Sequence, residues 1–114
     1  MTAEPVSLSP RVERRYELTR LQSEVWASQR LYPDAPVANM ATVHRIRGPI
    51  APDRFVDAFD RVVRASDALR TVIGAEPTGP GGAVANVLAA PPATTAVIDL
   101  DVDALRSWCD ERIA

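Results

Sequence analysis

The sequence contains no lysine, one cysteine and one histidine. The absence of lysine excludes a Walker-type phosphate loop, which needs a lysine to reach the phosphates. A single thiol, Cys109, cannot form a disulfide within the chain or a cysteine-based metal site. One imidazole, His44, cannot supply a multi-histidine metal site. We therefore predict no metal site and assign no catalytic residue within the chain.

Strong charge and long apolar runs are also missing. The net charge is −2 and the pI is about 5.3, without the basic surface that is typical of nucleic-acid binding. No apolar run approaches the ~18 residues of a membrane span, and the N-terminus lacks a signal-peptide pattern. We expect no nucleic-acid or membrane partner and a cytoplasmic location. The 114 residues, 46% of them hydrophobic, fit one globular domain.

The start of the chain predicts a leader followed by a helix. Residues 1–15 combine prolines with mixed charge, so we expect a flexible leader that becomes ordered near Tyr16. Thr19 and Gln22 have the spacing of a capping box, which predicts a first helix over about residues 20–31.

The second predicted helix has the clearest periodicity and covers about residues 52–66. Its apolar face consists of Phe55, Val56, Phe59, Val62 and Val63. Asp57 and Arg61, like Asp60 and Arg64, are spaced i, i+4 with the acid first, which favours two ion pairs along the helix.

Four segments have strand patterns. Residues 40–47 alternate between two faces and predict a half-buried strand. Residues 69–75 and 83–90 predict two strands joined by a Gly/Pro loop, and residues 91–100 end in a short strand. Together with the helices, these strands predict an α/β (α+β) fold with helices on one face of a mixed sheet.

A third helix is predicted from about Val102. Neither Gly, Asn nor Pro stops the pattern before Ala114. We therefore expect that the helical pattern is truncated at Ala114 rather than ended by a stop signal.

Three short blocks stand in a distinctive order. The first has Thr19, Leu21, Gln22 and Trp26, with Glu24 between them. The second reads "RGPI" over residues 47–50, and the third reads "ASDALRT" over residues 65–71.

In this order the blocks resemble the start of a nonribosomal peptide synthetase condensation domain, over residues 16–114. The family's opening motif is S-x-A-Q-x-R-x-W, and here Glu24 occupies the usual arginine position. Its R-H-E-x-L-R-T motif keeps Leu-Arg-Thr, which includes Arg70, and the acidic character at Asp67.

The resemblance implies a chloramphenicol acetyltransferase-like fold of two lobes with a tunnel between them. Carrier proteins bring substrates tethered to phosphopantetheine, and an acceptor amine attacks a donor thioester to form an amide. The family's H-H-x-x-x-D-G motif, which supplies the central histidine, is absent here. We therefore expect an N-terminal segment, residues 16–114, that is truncated before this motif and is not catalytic alone. Its expected partners are carrier domains and the rest of the synthetase.

The resemblance also implies site residues. Gln22, Glu24 and Trp26 are candidates for the substrate-tunnel wall, although Trp26 also suits core packing and Glu24 suits a solvated helix face. An arginine entering the core needs a partner, so we predict a structural ion pair for Arg70. Its candidate partner is Asp67 or a carboxylate outside the chain, and a role in binding phosphate stays open. His44 is predicted to be a satisfied, half-buried residue of the 40–47 strand.

A different class of function stays open as well. The chain could be a stand-alone, non-catalytic module that binds a carrier protein or a synthetase partner. Such a protein should bury its apolar faces, whereas part of a lobe should expose the apolar face of the third helix or a sheet edge. The sequence also does not distinguish amide formation from ester formation.

Overall fold

The fold is taken from a computed structural model that describes residues 10–36 and 38–113. The elements are, in order, β1 (Val12–Glu17), α1 (Arg20–Leu31), α2 (Pro52–Ala65), a 3₁₀ turn (Ala68–Arg70), β2 (Thr71–Ala75), a second 3₁₀ turn (Pro80–Gly82), β3 (Ala83–Leu88) and α3 (Val102–Ile113). The predicted mixture of helices and strands is confirmed, and all three helices lie close to their predicted bounds.

The described residues form a three-stranded sheet in the order β1-β3-β2. Both neighbours of β3 run antiparallel to it, with Tyr16 and Ile73 each opposite Ala85. A short hairpin loop joins β2 to β3, and such a connection produces an antiparallel pair. Within the described residues the sheet is therefore antiparallel, and the prediction of a mixed sheet was wrong.

The first strand lies where a flexible leader was predicted. Residues 12–17 pair with β3, with one irregularity in register between Val12 and Arg14. The leader prediction was wrong for residues 12–15. Their hydrogen-bonding partners lie on β3, which is distant in the sequence, so the local pattern does not reveal them. Residues 1–9 lie outside the described part of the chain.

Two predicted strands are absent from the described residues. Residues 40–47 and 91–100 have no strand assignment and pair with no other described segment. Val43 is 60% exposed and Val97 is 62% exposed. Both predictions were wrong as statements about this chain, since a strand also requires a neighbour that satisfies its backbone hydrogen bonds. His44 is exposed rather than half-buried.

The buried core is small and centred on β3. Its apolar members are Ala83, Ala85, Val87 and Leu88. The radius of gyration is 17.5 Å, whereas a compact chain of this length would have about 13 Å. The described residues therefore form a tight sheet from which helices and extended segments project.

The second helix exposes its apolar face. Phe55 and Phe59 stack with ring centroids 6.5 Å apart, yet they remain 49% and 46% exposed. Neither i, i+4 ion pair predicted on this helix forms within the described chain. Instead, Asp60 accepts a hydrogen bond of 2.9 Å from the hydroxyl of Thr95.

Candidate functional site

A polar cluster lies between the end of α2 and the start of β2. Arg70 ends the 3₁₀ turn and is 7% exposed. Its Nη2 donates to Asp67 Oδ1 at 2.8 Å, and its Nη1 donates to Glu13 Oε2 at 3.3 Å and to the carbonyl of Leu88. One guanidinium thus joins the end of α2 to both β1 and β3.

Asp67 accepts most of the hydrogen bonds in this cluster. Its second carboxylate oxygen accepts a hydrogen bond from Arg14 at 2.6 Å. Its backbone carbonyl accepts from the amide of Arg70 at 3.0 Å and from the hydroxyl of Thr71 at 2.7 Å. The turn that aims the guanidinium inward is therefore fixed by the same residue that neutralises it.

Two contributors to the cluster were missed in the sequence. Glu13 and Arg14 fell within the predicted leader, so no ion pair was predicted for either residue. The sequence gives little signal for this strand, because three charged residues separate Val12 from Tyr16 and no apolar–polar alternation results. Buried Arg70 Nε has no hydrogen-bond partner among the described residues.

A groove runs between α1 and the adjacent face of β2. It encloses about 580 Å³, within the range of about 300–1,000 Å³ that is usual for ligand pockets. The walls are formed by Leu21, Gln22, Val25, Trp26, Gln29, Ala38, Asn39, Ala68, Thr71 and Ile73. The surface combines aliphatic and aromatic side chains with a few amides and one hydroxyl, which suits binding rather than proton transfer.

A capping box fixes the N-terminus of α1, the helix that carries part of this wall. The amide of Gln22 donates to Thr19 Oγ1 at 3.2 Å, and Gln22 Oε1 accepts from the amide of Thr19 at 2.9 Å. The predicted capping box is confirmed. At the other end of the helix, Gln29 Nε2 lies 3.1–3.4 Å from the carbonyls of Tyr32, Pro33 and Ala35, which secures the chain that leaves the helix.

The three predicted tunnel residues separate into two groups. Gln22 and Trp26 line the groove. Glu24 does not line it, and its Oε1 accepts instead from Arg20 Nε at 3.0 Å, with 59% of the Glu24 side chain exposed. Glu24, at the position of the motif's arginine, therefore forms an ion pair along α1 and does not face the groove.

Nothing in the described residues assembles an acid–base or metal centre. No group of three or more potential ligands could hold a metal ion within the described chain. His44 is exposed, outside the groove, and Cys109 is a half-buried free thiol on α3. Among the described helices, none has the length and apolar character needed to cross a membrane.

Known proteins resemble this chain over most of the described fold. The sequence model of the family described as "Condensation domain" matches residues 12–104. A dimodular nonribosomal peptide synthase of Bacillus subtilis (strain 168) is 33% identical over 66 residues, which are 58% of this chain and 3% of that protein. The hybrid PKS-NRPS synthetase LUC5 of Fusarium sp is 32% identical over 69 residues, 60% of this chain and 2% of that protein.

The chain therefore spans only a few per cent of the length of these curated relatives. No solved structure matches it significantly.

Proposed function

The chain belongs to the condensation-domain family, and from that premise we propose that it is the N-terminal part of a domain that forms amide bonds in nonribosomal peptide synthesis. The observation that carries the proposal is the family match over residues 12–104. The proposal is supported by the geometry as well, because Gln22 and Trp26, two residues of the opening block, line a groove of ligand-binding size. The Arg70 cluster would hold the opposite side of the groove, where Ala68 and Thr71 lie, on the sheet.

The substrates would arrive on the phosphopantetheine arms of carrier domains. An extended arm carrying amide groups suits a groove with apolar walls and a few polar groups, here including Gln22 and Thr71. The chain's own part would be to bind and orient, because its described residues contain no acid–base centre. The histidine that assists the attacking amine would come from a further segment of the synthetase, and the location would be cytoplasmic.

Exposed apolar surface supports this proposal over a stand-alone module. On α2, Val62 is 56% exposed, and on α3 Val102 is 71% exposed. Burying the exposed part of each such side chain would contribute about 1–2 kcal/mol. We propose that other parts of the synthetase cover these faces and supply strand partners for residues 40–47.

The test is an assay of amide formation between two loaded carrier domains, with the synthetase that carries this chain. We expect Trp26→Ala to slow the reaction by about tenfold or more, because misplacing a substrate by about 1 Å can cost about 10²-fold. Trp108→Ala on α3, outside the groove, is the matched control and should leave the rate nearly unchanged.

Two results would overturn the proposal. No amide from the unsubstituted synthetase would reject the function itself. An unchanged rate for Trp26→Ala, with the control also unchanged, would reject the groove as part of the tunnel wall.

A further inference from the structure

A second recess lies on the other side of Trp26, where the C-terminal half of α1 meets the β2–β3 hairpin. It is open to solvent, with Leu31 74% exposed, and has a volume of about 620 Å³, again within the usual range of about 300–1,000 Å³ for ligand pockets. The lining consists of Trp26, Ala27, Arg30, Leu31, Ala75, Pro77, Gly81 and Gly82. It is apolar apart from the guanidinium of Arg30 and the hairpin backbone.

The hairpin side of the recess has a defined backbone shape. Gly81 and Gly82 have φ values of 69° and 73°, in the left-handed region that favours glycine. The amide of Gly82 donates to the carbonyl of Gly79 at 3.2 Å, and the Gly82 carbonyl accepts from the amide of Glu76 at 2.9 Å. The recess is therefore formed between a helix and a hydrogen-bonded turn.

Arg30, an exposed residue in the last turn of α1, brings a positive charge to this recess. Its guanidinium carbon lies 5.9 Å from the centre of the Trp26 ring. No acidic residue lines the recess, and Arg30 has no ion pair within the described chain. By contrast, Arg20 on the same helix is paired with Glu24. Among the described residues, the recess thus combines apolar walls with a guanidinium that makes no ion pair.

We propose that this recess binds a small organic carboxylate with a hydrocarbon body. The planar fork of Arg30 matches a carboxylate in two parallel hydrogen bonds. Trp26, Leu31 and Pro77 would contact the hydrocarbon body, and its burial would add to the affinity. The site goes beyond the proposed function, since it lies outside the first groove and depends on Arg30 rather than on Gln22.

The probe for this site is octanoate, with octylammonium as the counterpart of equal chain length and opposite charge. Binding is followed in the full chain by the indole N–H resonances of the two tryptophans, assigned with Trp108→Phe. We expect octanoate to shift the Trp26 resonance saturably, and octylammonium to leave it unchanged. Arg30→Gln should weaken octanoate binding by about two- to fivefold, the range expected when an ion pair with an exposed guanidinium is lost.

Arg112→Gln is the matched control, because Arg112 also lies over a tryptophan, 4.6 Å from the centre of the Trp108 ring. It should leave octanoate binding unchanged. Ala27→Trp fills the recess without removing the guanidinium and should abolish binding, while unshifted β3 amide resonances show that the fold is retained. Equal binding of octylammonium, full binding by Arg30→Gln or Ala27→Trp, or an equal shift of Trp108 would overturn the proposal.

Discussion

Two regions of this molecule were both predicted to be strands, yet they have opposite surroundings. In β3, Val87 is 1% exposed and lies between two hydrogen-bonded neighbours. In residues 40–47, Val43 is 60% exposed and Met40 is 95% exposed, without a ladder partner in the described chain. A strand-like sequence pattern therefore indicates that a segment is able to form one strand of a sheet. Whether it becomes a strand depends on a neighbour that its own residues do not encode.

The paired region should depend most strongly on Arg70, since this side chain joins β1, β3 and the end of α2. We expect Arg70→Met to lower the free energy of unfolding by about 3 kcal/mol, the lower end of the range for breaking a buried ion pair. The lower end applies because Asp67 and Glu13 keep 41% and 46% side-chain exposure. Urea unfolding followed by far-ultraviolet circular dichroism measures the change.

The matched variant is Arg14→Met, which removes the other guanidinium from the same Asp67 carboxylate. The Arg14 side chain is 51% exposed, so we expect a change within about 1 kcal/mol. If the two variants cost the same, the buried cluster does not hold the sheet together.

A pair of valines tests the contrast between the two regions directly. Val87→Ala should cost about 2 kcal/mol of unfolding free energy, because a buried side chain loses most of its apolar contacts. Val43→Ala should change it by less than about 0.5 kcal/mol, as is usual at exposed positions. The same urea titration compares them, and an equal loss would mean that residues 40–47 are packed in solution.

Local signals in the sequence were sufficient for the helices and for the hairpin. Thr19 and Gln22 predicted where α1 begins, and the apolar face of α2 predicted its extent. The Gly/Pro loop predicted the turn between β2 and β3. These features arise from contacts within a few residues, so a single sequence contains the information they need.

Long-range partners could not be predicted in the same way. The pairing of β1 with β3 brings together residues about seventy positions apart in the sequence, and Glu13 reaches Arg70 only through that pairing. For the site, the family motif pointed to Gln22 and Trp26 but could not show that Glu24 turns outward toward Arg20. Such directions depend on packing, which a motif does not specify.

The smallest predicted effect separates local from long-range stabilisation. Thr19→Ala removes the side chain that caps α1 and should cost about 1 kcal/mol of unfolding free energy. Thr42→Ala, in the unpaired segment, is the matched control and should change stability by less than about 0.5 kcal/mol. Because the cap is a contact within four residues, its loss should fray α1 while the β3 amides keep their protection from hydrogen exchange. Loss of protection in β3 as well would show that α1 and the sheet unfold as one unit, and that the groove between them belongs to the cooperative core.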